Sequence, residues 1–247
     1  LNFLPFKISK KDASRSSDKE KANPKFVEDS TYKITVDGKI SHIDFDHTFE
    51  HVLLVIDDEI LQIRQMSNVQ KVQTNIKLRE KMGHTSYRSI QLSANGRFCA
   101  LAGGLRKSHF WIIDFEAQNP DEQQQDFQSE YLMDTFAPCF INSDTQFISV
   151  CDGEGRMEIW DLKTKKSVKT LQIETKATIS SSASTHNVLA IGSVDDKTLR
   201  LYDVRSWECF YSKDFNFDGN SLDLTNDLKY VTFSGEGGDR CVVLKIQ

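Results

Sequence analysis

The stretch Gly153–Ile173, "GEGRMEIWDLKTKKSVKTLQI", runs a glycine-acid turn into an apolar strand ending at Trp160-Asp161, then a lysine-rich turn, then a second strand. Val194–Phe215, "VDDKTLRLYDVRSWECFYSKDF", repeats the pattern: an acidic turn, a strand ending at Tyr202-Asp203, a basic turn and another strand. Asp114 closes a third strand of the same kind, so the equivalent acids lie 47 residues apart (114 to 161) and then 42 (161 to 203). A period of about 40–50 residues marks a repeated unit of four short strands that buries its faces by stacking on its neighbours.

Working outward from these units, nearly every apolar run after Tyr32 is short, alternating or β-branched, as in "HVLLVI", "HFWIIDF" and "VLAIGS". Such runs, bounded by Gly, Asp, Asn or Ser, predict strands and an all-β domain. The turns "SANGR", "NSDTQ", "STHN" and "TNDLK" supply residues that tolerate hairpin dihedrals. Four units span about 40–78, 87–135, 136–172 and 176–214, and a fifth has only three strands, ending in "CVVLKIQ". The expected architecture is a β-propeller over residues 31–247, preceded by a flexible charged tail or linker over residues 1–30. "YKITV" (32–36) is the spare strand expected to complete the fifth sheet and protect its edge.

"GHTSYRSIQLSANGRFCALAGG", "INSDTQFISVCDGEGRMEIWDL" and "LAIGSVDDKTLRLYDV" together resemble units of the WD-repeat family, over roughly residues 32–247. The resemblance implies a hydrogen-bonded set inside each blade, drawn from a His, a Ser or Thr, an Asp and a Trp. By position, Gly83-His84 matches the first element, Ser149 and Ser193 the second, Asp196 the third and Trp160 the fourth, and no single blade holds all four. Five blades are expected here; a ring of seven, commoner in that family, makes this chain part of a longer one in the competing reading.

The chain carries a formal charge of −5, with +4 concentrated between Lys7 and Lys25, so the remainder carries −9. An acidic body disfavours nucleic acid as a partner. The longest apolar run, "VLLVI", is far short of a membrane span. Five cysteines without a CxxC pair read as free thiols, and the lack of an Asn-x-Ser/Thr sequon agrees with an intracellular protein, cytoplasmic or nuclear.

No nucleophile elbow, phosphate-cradling glycine loop or HExxH helix is present, so no enzyme, cofactor or metal site is expected. His42, His47 and His51 read as hairpin or surface histidines, and Asp114, Asp161 and Asp203 as strand-end residues of separate blades. "EAQNPDEQQQDFQSE" (116–130), with five acids and no base, reads as an insertion that projects from the ring.

The expected function is a protein–protein interaction scaffold or adaptor subunit of an intracellular multiprotein complex. Interface candidates are His84, Tyr87, Arg106, Lys107 and Phe136, near turns on one face of the ring. On the opposite face, "LYDVR" (Leu201–Arg205) resembles the WDxR box by which some WD-repeat proteins engage cullin-type ubiquitin ligases, with Tyr202 in the place of Trp. That resemblance implies, as the alternative, a substrate receptor acting through Tyr202, Asp203 and Arg205. A propeller hydrolase or metal-dependent enzyme is the third reading.

Overall fold

The computed structural model describes residues 33–46, 48–78, 89–103, 108–130, 132, 135–141, 147–152, 154–173, 179–185, 187–225, 227–235 and 241–246. Its strands form five small antiparallel sheets arranged as a five-bladed β-propeller. Blade 1 holds β1 (Ile40–Phe45), β2 (His51–Ile56), β3 (Ile60–Gln65) and β4 (Val72–Lys77). Blade 2 holds β5 (Ser89–Leu92), β6 (Phe98–Ala102), β7 (His109–Asp114) and, after a short helix α1 (Pro120–Gln123), β8 (Gln124–Gln128). Blade 3 holds β9 (Phe136–Ile141), β10 (Phe147–Cys151), β11 (Arg156–Asp161) and β12 (Lys166–Gln172). Blade 4 holds β13 (Ile179–Thr185), β14 (Val188–Ser193), β15 (Thr198–Asp203) and β16 (Glu208–Asp214), and blade 5 holds β17 (Gly219–Leu224), β18 (Tyr230–Gly235) and β19 (Cys241–Lys245). Among the described residues no helix is long and apolar enough to cross a membrane.

Alternation along each strand sends successive side chains to opposite neighbours, and this builds the cores between blades. Leu53, Val55, Leu61 and Ile63 of blade 1 meet Cys99, Leu101, Trp111 and Ile113 of blade 2. The opposite face of blade 2 meets blade 3, where the Phe110 and Phe127 rings stack 4.9 Å apart and both turn edges to Trp160, at 5.4 and 5.9 Å. Further cores join blade 3 to blade 4 and blade 4 to blade 5. Trp160 therefore lies between neighbouring blades, as its strand alternation requires. The inner strands are also linked through side chains that reach the next blade's backbone: Leu92 N–H donates to Asp44 Oδ2 (2.6 Å), and Phe140 N–H to Gln91 Oε1 (2.7 Å).

The junction of blades 5 and 1 differs. The second apolar face of blade 1 (Val52, Leu54, Ile56) belongs to a cluster containing no blade 5 residue; Ile34, only 3% exposed, packs there instead. The expectation that "YKITV" completes blade 5 is thus corrected: residues 34–36 are not strand, and among the described residues blade 5 keeps three strands. The physical reason is that Ile34 and Val36 bury apolar surface against an uncovered sheet face, which a ladder along the edge of β19 would not provide.

The acidic stretch 116–130 is also corrected. It supplies α1 and β8, the fourth strand of blade 2, and does not simply project. One residue carries this outcome: Phe127 is buried on Phe110 and Trp160, while Gln124 donates through Nε2 to Lys77 O at 2.9 Å.

The hydrogen-bonded set implied by the WD-repeat resemblance does not form among Ser149, Trp160 and Ser193. The Trp160 indole N–H donates to Glu158 Oε2 (2.9 Å), two residues back on the same face, and Ser149 Oγ donates to Cys139 O (3.3 Å). Ser193 Oγ is buried without a hydrogen-bond partner among the described residues, and Asp196 is engaged by Thr198 and Arg200. His84 lies outside the described residues. All five cysteines are free; Cys99, Cys139 and Cys151 are buried, and burial pushes the Cys99 and Cys151 thiols well above their ordinary range.

Candidate interaction face

In an antiparallel meander the first-to-second and third-to-fourth turns lie at the same end of the blade, so together they build one face of the propeller. The sequence ties these turns down locally. At the first turn, Asp46, Ser93 and Thr225 each accept the backbone N–H five residues ahead: His51 (3.1 Å), Phe98 (2.8 Å) and Tyr230 (3.0 Å). In blades 2 and 5 the same hydroxyls donate to Asn95 and Asp227, both at 2.8 Å. At the third-to-fourth turn, Asp114, Asp161 and Asp203 accept the N–H two residues ahead, from Glu116 (3.0 Å), Lys163 (2.8 Å) and Arg205 (2.8 Å). These are the side-chain turn motifs for which Asp, Asn, Ser and Thr are favoured.

Charged pairs overlie this frame. Arg97 forks onto Asp114 at 3.0 and 2.7 Å, and Arg205 forks onto Asp203 at 3.0 and 2.6 Å. The Arg205 hydrogen bonds hold the Asp203 carboxyl well below the usual carboxylate range. Lys229 and Thr225 together hold Asp227 down at about 2. His51 Nδ1 faces buried Asp46 Oδ2 at 2.8 Å, and Gly96 of blade 2 packs so close that a Cβ there would meet the imidazole at 3.1 Å. Among the described residues no three His, Cys, Asp or Glu side chains gather as metal ligands.

Of the residues predicted for this face, the structure brings Asp203 and Arg205 together at the surface, with the Arg205 side chain 71% exposed. It turns Tyr202 inward, into the core between blades 3 and 4. Of the residues expected on the opposite face, His84, Tyr87, Arg106 and Lys107 lie outside the described residues, and only the backbone of Phe136, opening β9, is described.

Two features were missed in the sequence. Phe49 and Leu228 occupy the fourth position of the first turns of blades 1 and 5, with φ of 56° and 55°, where blade 2 places Gly96 at 71°. Aligning "DHTF", "SANG" and "TNDL" is the signal that finds them. The other is Glu158, fully buried beside Trp160 with Oε1 unpartnered among the described residues, which nothing in the strand pattern sets apart from a surface carboxylate.

Neither a protein-family model nor a curated protein matches the chain.

Proposed function

We propose that this propeller is a non-enzymatic, WD-repeat-like interaction scaffold that presents side chains from several blades to a protein partner inside the cell, as a subunit or adaptor of a multiprotein complex. The observation that carries the reading is the turn face. At several of its described turns an Asp, Ser or Thr side chain binds its own turn's backbone, and Arg205 and Arg97 pair with the strand-end acids Asp203 and Asp114. A preordered surface loses little entropy on binding, which is where a rigid scaffold gains affinity. Gentle affinity purification of the full chain followed by mass spectrometry tests this. Reproducible recovery of the same partners supports the scaffold, and recovery of the chain alone from every lysate sinks it.

The ubiquitin-ligase receptor remains the second reading, favoured by the exposure of Arg205 at the end of "LYDVR". Its guanidinium already forks onto Asp203, so a partner carboxylate would have to exchange with that pair. Loss of adaptor capture by Arg205→Ala, with the melting temperature unchanged, separates this reading from a general scaffold.

A further inference from the structure

Four of the five blades end in a fourth strand, and blade 5 is the exception: among the described residues β19 pairs with β18 on one side and with no strand on the other. By position β19 is a third strand. Val243 lies opposite Thr232, the third residue of β18, as Ile63, Ile112, Ile159 and Leu201 lie opposite the third residues of β2, β6, β10 and β14. Those four side chains are buried and their strands are flanked by β4, β8, β12 and β16, whereas Val243 is 61% exposed. By composition β19 is again a third strand. "CVVLK" has four apolar residues in a row and one charge at its end, while the outer strands β12 and β16 spread charges along their length. Strand edges left open in proteins are normally blunted by such charges, and this one is not.

The edge presents a defined set of backbone groups. Ile246 N–H donates to Lys229 O, one rung beyond the Tyr230–Lys245 pair. Directly bonded rungs alternate in an antiparallel ladder, so Val242 and Leu244 direct their backbone groups to β18, and Cys241, Val243 and Lys245 turn theirs outward. An added strand satisfies those groups.

The complete blades specify what that strand carries. Against the position of Cys241 their outer strands place Ile76, Phe127, Leu171 and Lys213, three of them large and apolar. Against the position of Val242 they place Asn75, Asp126, Thr170 and Ser212, all polar. At the turn end blade 3 sets Lys166 opposite Asp161. Blade 5 has Lys245 in the place of Asp161, with no ion pair among the described residues, so the complementary charge there is negative. A second copy's β19 in antiparallel register offers Lys245 no carboxylate.

We propose that the outer edge of β19 is a docking site for an extended acidic segment of another polypeptide, which adds as the fourth strand of blade 5 with an apolar residue opposite Cys241 and a carboxylate beside Lys245. The inference rests on the scaffold reading in taking a protein partner, and it places that partner on a strand edge, apart from the turn face.

The test titrates the full chain into two labelled synthetic peptides that copy its own outer strands, the acidic Pro120–Glu130 and the basic Lys165–Ile173. Binding is read by fluorescence anisotropy, and hydrogen exchange is followed at residues 241–245. The acidic peptide should bind about tenfold more tightly at low salt and slow exchange at Val243. This order is diagnostic, because the chain's net charge of −5 gives non-specific attraction to the basic peptide instead. Lys245→Glu should reverse the order. Val243→Pro should weaken both peptides about tenfold or more and keep the β18 pairing, since the N–H it removes points away from β18. Equal affinities, an order unchanged in Lys245→Glu, or binding without slowed exchange at 241–245 would overturn the proposal. Protection of 241–245 in the free monomer would overturn it in favour of a cover from the chain itself, and a dimer dissolved by Val243→Pro in favour of self-association. Failure of both peptides to bind overturns this site alone; the scaffold reading falls only if affinity purification recovers no partner.

Discussion

Trp160 illustrates how one side chain can be decisive at two levels. Its ring closes an aromatic cluster between blades 2 and 3, and its indole N–H donates to the buried Glu158 side chain. Trp160→Ala should therefore cost about 3–5 kcal/mol from lost packing, with a further penalty from stranding Glu158, measurable by urea unfolding. Trp160→Phe should recover most of the packing but not the hydrogen bond, and the gap between the two variants measures the second contribution. Asp44 makes a prediction of opposite sign. Burial first, and then the charges of Asp223 and Asp46, push its carboxyl up from 3.8 to about 6, although the Leu92 and Phe45 amides pull it down. A folded-state value above the unfolded one means that the native state binds the proton more tightly, so stability from this group rises as pH falls from 7 through 6 toward 4. Asp44→Asn should flatten the stability profile between pH 4 and 7, because the amide does not titrate, while one of the Leu92 and Phe45 N–H donors loses its acceptor. An unchanged pH profile would show that Asp44 is solvated. At Phe49, substitution by glycine should stabilise the fold by about 1 kcal/mol, because the left-handed turn is kept and the Cβ penalty removed.

Elements were legible in the sequence wherever local chemistry and strand period agreed. The β10–β11 and β14–β15 hairpins fall where apolar alternation and acidic turns place them, and the three strand-end acids each accept the backbone N–H two residues ahead. Legibility failed where one long-range contact outweighs composition. β8 is polar and acidic apart from Phe127, so no local pattern announces it; its position depends on Phe110 and Trp160, the latter thirty-odd residues downstream. Phe127→Ser should consequently melt the outer strand of blade 2 and expose α1 and β8 to proteolysis, while Gln125→Ser, on the same strand, should have no measurable effect. The left-handed turn positions escaped for the opposite reason. Phe49 and Leu228 look like ordinary apolar residues until the turn that holds them is known, and only the comparison with Gly96 shows what conformation the turn requires.

Across the whole molecule, five sheets are joined by four shared apolar cores, and at the remaining junction blade 1 covers itself with residues from its own N-terminal side. The facing side of blade 5 is largely polar, with Val243 exposed on β19 and Thr232 and Ser234 half-exposed on β18. Stability at this junction should therefore depend on Ile34 and Val36 more than on any strand added to β19. A chain starting at Lys33 should keep the melting temperature of the full chain, because it retains both residues. A chain starting at Asp37 should lose them, uncover Val52, Leu54 and Ile56, and bind a dye specific for exposed apolar surface. Ile34→Asp in the full chain should reproduce that loss without shortening anything, since a carboxylate buried in an aliphatic cluster has no partner to offset its desolvation. If both the shorter truncation and the longer one melt alike, and Ile34→Asp is neutral, the face of blade 1 is closed by blade 5 itself and the ring is continuous. If only the longer truncation and Ile34→Asp unfold early, the segment before β1 is the part that seals the propeller.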